Sequence, residues 1–275
     1  MRTDVKMYDQ HHGNMTHVLS ERDHEYGPGV HILSDPYLIS FLARLCHPDT
    51  IQPNINRLVD VIYRHLVGIV VAHEFPRTRV EMPTRMIESH PEAVYAGEVL
   101  DPETNAVVVD LARAGMFPSQ IVYDHLNTVL NPRRVRQDHI FMNRRSDEAG
   151  RVVGVDISGS KIGGPVDGAY VILPDPMGAT GGSMLHAIQE YRNLGTPARF
   201  IAVHLIITPE YVRAVKKAHP DVIVYALRLD RGLSSARALQ SVPGTYWDEE
   251  RGLNDHHYIV PGGGGFGEIM NNAFV

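Results

Sequence analysis

Asp175 closes an apolar run, GAYVILP (168–174). It is followed by Pro176, Met177, Gly178, Ala179, Thr180, Gly181, Gly182 and Ser183 before a helical pattern begins. So little side chain leaves the backbone accessible. Glycines let amide N–H groups approach an anion closely. A helix starting near Gly182 adds the partial positive charge of its N-terminus. Thr180 and Ser183 can donate hydroxyls. Together these features make a phosphate cradle. A carboxylate beside the cradle would repel a bare anion, but it suits a ligand whose sugar hydroxyls need an acceptor. A phosphorylated ribose meets both demands. The run lacks the lysine of a P-loop and the G-x-G-x-x-G of a dinucleotide fingerprint. On composition alone, the competing reading is a small-residue turn that closes a βα unit.

Such a loop needs a strand before it and a helix after it, and the flanking sequence repeats that pattern. NAVVVDLARAG (105–115), DHIFMN (138–143), GAYVILP (168–174), FIAVHLII (200–207) and VIVYALRL (222–229) read as strands. Helical spacing marks 119–130, 182–195 and 208–220, the last with Thr208 as cap, Pro209 at its first position and Pro220 as its stop. Two further helices precede them, at 34–46 with Ser34 as cap and at 55–75. Alternation with short links predicts a parallel sheet covered on both faces. Residues 145–165 read as a hairpin or flap, and 234–252 as a surface insertion. The first 28 residues are polar and His-rich and read as an extension that a partner subunit would help to order.

The chain has 275 residues, 43% hydrophobic and 21% charged, with a net charge of −6. That balance builds an ordinary core and sets up no global field for nucleic acid or anionic membrane. Cys46 is the only cysteine, so no intrachain disulfide forms. No apolar leader or run of 18 apolar residues appears, and a cytoplasmic location is expected. Sixteen histidines are present, with pairs at His11–His12 and His256–His257. Adjacent side chains on a strand point to opposite faces, and no zinc spacing appears, so no protein-held metal is expected.

Several motifs resemble one family. DPMGATGGS (175–183) resembles the phosphoribosyl-pyrophosphate (PRPP) loop of uracil phosphoribosyltransferases, usually DPMLATGGS, with Gly178 the one difference. LARAG (111–115) resembles that family's arginine-containing turn. Residues 208–233 resemble its next helix and strand. RGLNDHHYIVPGGGG (251–265) resembles its C-terminal signature, roughly GLNExGYIIPGLGD.

The resemblance implies an α/β fold: an open, mostly parallel twisted sheet flanked by helices, type I phosphoribosyltransferase-like. A β flap at about 144–166 and a small hood from the N- and C-terminal segments would complete one domain over 29–275. It implies that Asp175 holds the ribose hydroxyls and that residues 176–183 bind PRPP, with Ala179 to Ser183 on the 5′-phosphate. Arg113 would contact pyrophosphate, joined by Arg144, or failing that Arg145, from the flap. Uracil would be read by main-chain groups at Ile259, Gly264, Gly265 and Phe266, with Tyr258 beside the base or ribose. Mg2+ would arrive with PRPP, and the partners would be PRPP, uracil and at least one further copy of the chain.

Where the family pattern has an aspartate, this chain has Gly265. Asp248, Glu249 or Glu250 of the insertion are the expected replacements. The implied reaction converts uracil and PRPP to UMP and pyrophosphate. The alternatives are a paralogue acting on another pyrimidine or heterocycle, and a PRPP- or UMP-binding regulator without turnover.

Overall fold

Strands rich in Val, Ile and Leu are buried on both faces here, which is why their apolar runs are nearly continuous. The computed structural model describes residues 13–146 and 152–274, with the side chains of 143–157 outside the description. In chain order the first elements are β1 (Val30–Ile32), α1 (Pro36–Leu45), α2 (Asn54–Glu74), β2 (Arg77–Pro83), β3 (Val94–Leu100), β4 (Ala106–Ala112) and α3 (Met116–Val129). Next come β5 (Val135–Ser146), β6 (Val152–Lys161), β7 (Tyr170–Pro174), β8 (Met177–Gly178), α4 (Gly182–Arg192) and β9 (Arg199–Ile207). The last are α5 (Pro209–Ala218), β10 (Ile223–Leu229), α6 (Ala236–Leu239) and α7 (Phe266–Ile269).

The central sheet runs β1-β10-β9-β7-β4-β5-β6, with the short β8 beside β9. Its described pairings are parallel except β5 with β6. Alternation sorts the core. On β9, Phe200 and Ala202 face α4 and α5, while Ile201, Val203 and Leu205 face the layer of α1, α2 and α3. From β4 the chain crosses through α3 to β5; from β7 it crosses through α4 to β9 on the other side. The sheet order therefore reverses between β4 and β7. A crevice opens beyond the carboxyl ends of these two strands, the place where such sheets bind ligands.

Several local expectations change. Asp35, not Ser34, caps α1: its Oδ1 accepts from Leu38 N at 3.0 Å, while Ser34 N bonds to Ser20 O. Helix α3 begins at Met116, because Pro118 falls in the first turn, where its missing N–H leaves nothing unsatisfied. Strand β5 is longer than expected, since β4 and β6 both pair with it. The β2–β3 hairpin was not legible at all; β2 is largely exposed and carries no apolar alternation.

Residues 13–28 bond to the same chain. Glu98 N donates to Gly13 O, Arg22 N to Ile32 O and Glu25 N to Pro243 O. No described helix is long and apolar enough to cross a membrane.

Candidate active site

The β7 exit is built by β9 and α5. Asp175 N donates to Val203 O at 3.1 Å, and Asp175 Oδ1 accepts from Met177 N at 3.0 Å. The carbonyl of buried Pro176 takes the amides of Leu205 and Ile206. Met177 is partly buried, and Gly178 is buried. A Cβ at Gly178 would lie 2.9 Å from Ile207 Cγ2 and 3.0 Å from the Tyr211 ring. The leucine usual in the similar motif has no room, because the Tyr211 ring already fills that space.

Thr208 then fastens the loop, donating from N to Gly178 O (3.0 Å) and from Oγ1 to Ala179 O (2.7 Å). Gly181 turns at φ +87, and α4 starts at Gly182. Among the described residues no acceptor engages the amides of Thr180, Gly181, Ser183 or Met184. These are the donors that a helix start leaves for an anion.

The second wall is the turn after β4. Gly115 sits so close to Leu111 and to Pro174 O that a Cβ would meet both. This brings Arg113 to the β7 exit. The Ala112–Arg113 peptide is cis. Arg113 is exposed, and its Nη1 donates to Ala273 O at 3.2 Å.

The third wall is the C-terminal segment. Phe266 is 1% exposed and anchors it in the core, so only its main chain can face a ligand. Gly267 abuts Ala114 of the arginine turn. Gly264 (φ +87) is exposed with open space around it, and Tyr258 is exposed. Ile259 is buried and bridges to Leu253.

Two residues that sequence reasoning missed hold this segment. Asp230, buried at the end of β10, accepts from Arg228 Nε (2.6 Å) and Nη2 (2.7 Å) and from Gly262 N (2.7 Å). Arg228 Nη2 also donates to Gly262 O at 2.7 Å. One ion pair thereby clamps both main-chain groups of Gly262. In the sequence the pair reads as an ordinary strand-end couple, and the only signal was the neighbouring glycine run.

The acids of the insertion each have their own setting. Glu250 is buried and bonded to Arg231 Nη1, Gly244 N and Tyr26 Oη. Glu249 is held by Ser235 and Arg237, and Asp248 is fully exposed beside Arg213. Instead the Glu268 carboxylate folds over Gly265, so that a Cβ there would fall inside contact distance of Oε2. Gly265 leaves the space that Glu268 uses.

Arg144 and Arg145 lie on β5 opposite Val155 and Gly154, but their side chains are outside the described residues. The root of this hairpin is firm. Arg136 donates to Pro165 O, Gly164 O and Asp138, and buried Asp138 also takes Gly163 N and Tyr191 Oη.

Beneath Asp175 lies His204, 1% exposed. Its Nδ1 donates to Asp175 O and its Nε2 accepts from Tyr211 Oη, both at 2.6 Å. Burial and the Asp175 charge keep Tyr211 protonated. Burial pushes the pKa of His204 from 6.5 down to about 4. A pKa depressed by folding contributes stability that is whole above about pH 6.5 and lost as pH falls towards 4. Between pH 7 and pH 5 the expected loss is about 2 kcal/mol. Urea unfolding at both pH values should show a His204→Asn difference smaller than the parent's by that amount. Equal differences would rule the role out.

The family model for uracil phosphoribosyltransferase matches residues 32–246. Uracil phosphoribosyltransferases of Streptococcus equi subsp. zooepidemicus (strain MGCS10565) and Rhodococcus opacus (strain B4) are 29% and 27% identical to the chain over 239 residues. Each alignment covers 87% of this chain and 96% of the relative. Among solved structures, the AQ2163 protein from Aquifex aeolicus superposes with a TM-score of 0.67 at 21% identity. That match covers 90% of this chain and 99% of the other, a likeness of fold.

Proposed function

This chain belongs to the uracil phosphoribosyltransferase family, and from that premise we propose that it joins uracil to PRPP, giving UMP and pyrophosphate in pyrimidine salvage. The observation that carries the reading is the Asp175 carboxylate beside four unengaged amides at the start of α4. A ligand with a phosphate and vicinal hydroxyls matches that pair of features.

The amides of Thr180, Gly181, Ser183 and Met184 bind the 5′-phosphate, and Asp175 accepts from the ribose hydroxyls. Arg113 leaves Ala273 O for the pyrophosphate, where its forked donors fit. Main-chain groups of residues 259–265, held by Arg228 and Asp230, read the edge of uracil. Asp175 and Glu268 are oxygen donors at the crevice, a set that suits the Mg2+ carried by PRPP. When bound, that ion offsets charge on the departing pyrophosphate. Positive charge builds at C1′ as the leaving group departs, and the two carboxylates stabilise it. Alignment of the base with C1′ supplies the rest. No nucleophilic side chain is needed.

The test is UMP formation from labelled uracil and PRPP, run in parallel with cytosine and other bases. Turnover with another base only would identify a paralogue. PRPP binding without turnover would identify a regulator. Calorimetry showing no PRPP binding with Mg2+ present would overturn the whole reading.

Glu268→Gln is expected to lower kcat/KM about 10- to 100-fold, roughly 1.4–2.7 kcal/mol. Combining Gly265→Asp with the truncation Glu268→Ala should recover part of the activity that Glu268→Ala alone loses, because the truncated side chain leaves the space over residue 265 free. Unchanged kcat/KM in Glu268→Gln would remove Glu268 from the mechanism.

A further inference from the structure

One group of titratable side chains takes no part in this chemistry. His31 on β1 and His73 and Glu74 at the end of α2 each place a ligating atom within 4.8 Å of the other two. Among the described residues, no other trio of His, Cys, Asp or Glu converges so closely.

The surroundings set the state of both rings. Glu21 Oε1 lies 2.7 Å from His31 Nδ1. Tyr225 Oη lies 2.6 Å from His73 Nδ1 and 2.6 Å from Glu74 Oε1. A carboxylate only accepts, so the Tyr225 hydroxyl donates to Glu74 and the bond to His73 runs from Nδ1–H to the phenol oxygen, with Glu74 Oε1 also 3.3 Å from that nitrogen. The carboxylate of Glu21 makes the same demand on His31. With Nδ1 as the donor, Nε2 of a neutral ring offers a lone pair. Histidine ligands are held in this way, with the other nitrogen tied to an oxygen behind it. Tyr225 also stacks on the His31 ring at 4.5 Å and fixes its plane. The side chains are 16% (His31), 34% (His73) and 10% (Glu74) exposed, so an ion can reach them and still be partly shielded.

We infer that His31, His73 and Glu74 bind one Zn2+, or a similar transition cation, with Glu21 and Tyr225 as outer supports and water as the fourth ligand. Two nitrogens and one oxygen suit zinc and disfavour Mg2+. Bonds of about 2.1 Å set ligand atoms about 3.4 Å apart, so the three atoms, within 4.8 Å of one another here, close in by up to roughly an ångström on binding. The site joins the N-terminal stretch, β1, α2 and β10 at the sheet edge.

The opposite end of α2 holds the C-terminal segment, through Asn56 Nδ2 to Met270 O. Those 21 residues span about 30 Å, so the ion is a cross-link and independent of the proposed reaction. His11 and His12 lie outside the described residues, and His256–His257 are not involved. The trio was invisible in the sequence, because His31 and His73 meet only when β1 lies beside β10 and under the end of α2.

The full chain, stripped with EDTA and titrated with ZnCl2, is expected to bind one Zn2+ per chain by calorimetry. Co2+ loading should give the visible bands of a four-coordinate site. His73→Ala, at an exposed position, should weaken Zn2+ at least 30-fold and abolish the Co2+ bands. Tyr225→Phe should weaken Zn2+ about 10-fold. His65→Ala, elsewhere on α2, should change neither reading. The inference fails if the parent takes up no Zn2+, or if His31→Ala and His73→Ala both leave the isotherm and the Co2+ spectrum unchanged.

Discussion

Asp175→Asn is expected to lower kcat/KM for PRPP about 10³-fold, roughly 4 kcal/mol, without unfolding the chain. The asparagine Oδ1 can still accept from Met177 N, so the bend after β7 survives. What disappears is the negative charge. Each ribose hydroxyl loses a bond to a charged acceptor, about 1.5–3 kcal/mol. The amide NH2 also confronts a hydroxyl with a donor, and the charge growing at C1′ loses a nearby counter-charge. Initial rates with varied PRPP, together with a thermal melt, check this. A variant that melts like the parent and turns over within threefold of it would remove Asp175 from the chemistry.

Arg228→Ala should damage both stability and base binding. Asp230 is 2% exposed, and Arg228 supplies two of its three hydrogen bonds. Removing one partner of such a pair leaves a buried charge, at about 3–5 kcal/mol. For a chain of this size, that is a fall of roughly 10 °C in Tm. Gly262 O also loses its donor, which frees the base loop. The KM for uracil should rise at least 10-fold, while PRPP binding, carried by the β7 and β4 exits, stays within threefold. Arg228→Met with Asp230→Asn should recover part of the lost stability, because no charge is then stranded. A Tm within 2 °C of the parent and an unchanged KM for uracil would show that the clamp does not act.

Asp175 and its loop were legible in the residues. An acid, a run of small residues and a helix start are neighbours in the chain, so spacing alone brings them together. The helix opening at Thr208–Pro209 was equally clear, and Thr208 Oγ1 caps it by accepting from Tyr211 N. Gly178 stood out as a departure, but its reason, the Tyr211 ring, needed the packing of α5 under the loop. Arg228 and Asp230 read as an ordinary charged couple, since nothing local announces that Gly262 will lie against them. The acid for position 265 was sought in the insertion, where acids are dense. Glu250 is held by Arg231 and Glu249 by Arg237 and Ser235, Asp248 is exposed, and Glu268, one helical turn from position 265, covers the gap.

The amino-acid order by itself determined the alternation of strand and helix, the phosphate-ready bend and the family of the chain. Each depends on neighbours within a few residues, on short-range sterics and on hydrophobic period. Only the tertiary structure decided which polar side chains meet: Arg228 with Asp230, Glu250 with Arg231, and His31 with His73 and Glu74. Such pairings depend on which strands and helices become neighbours across the sheet, and that follows from burial of the whole core, which no local spacing records.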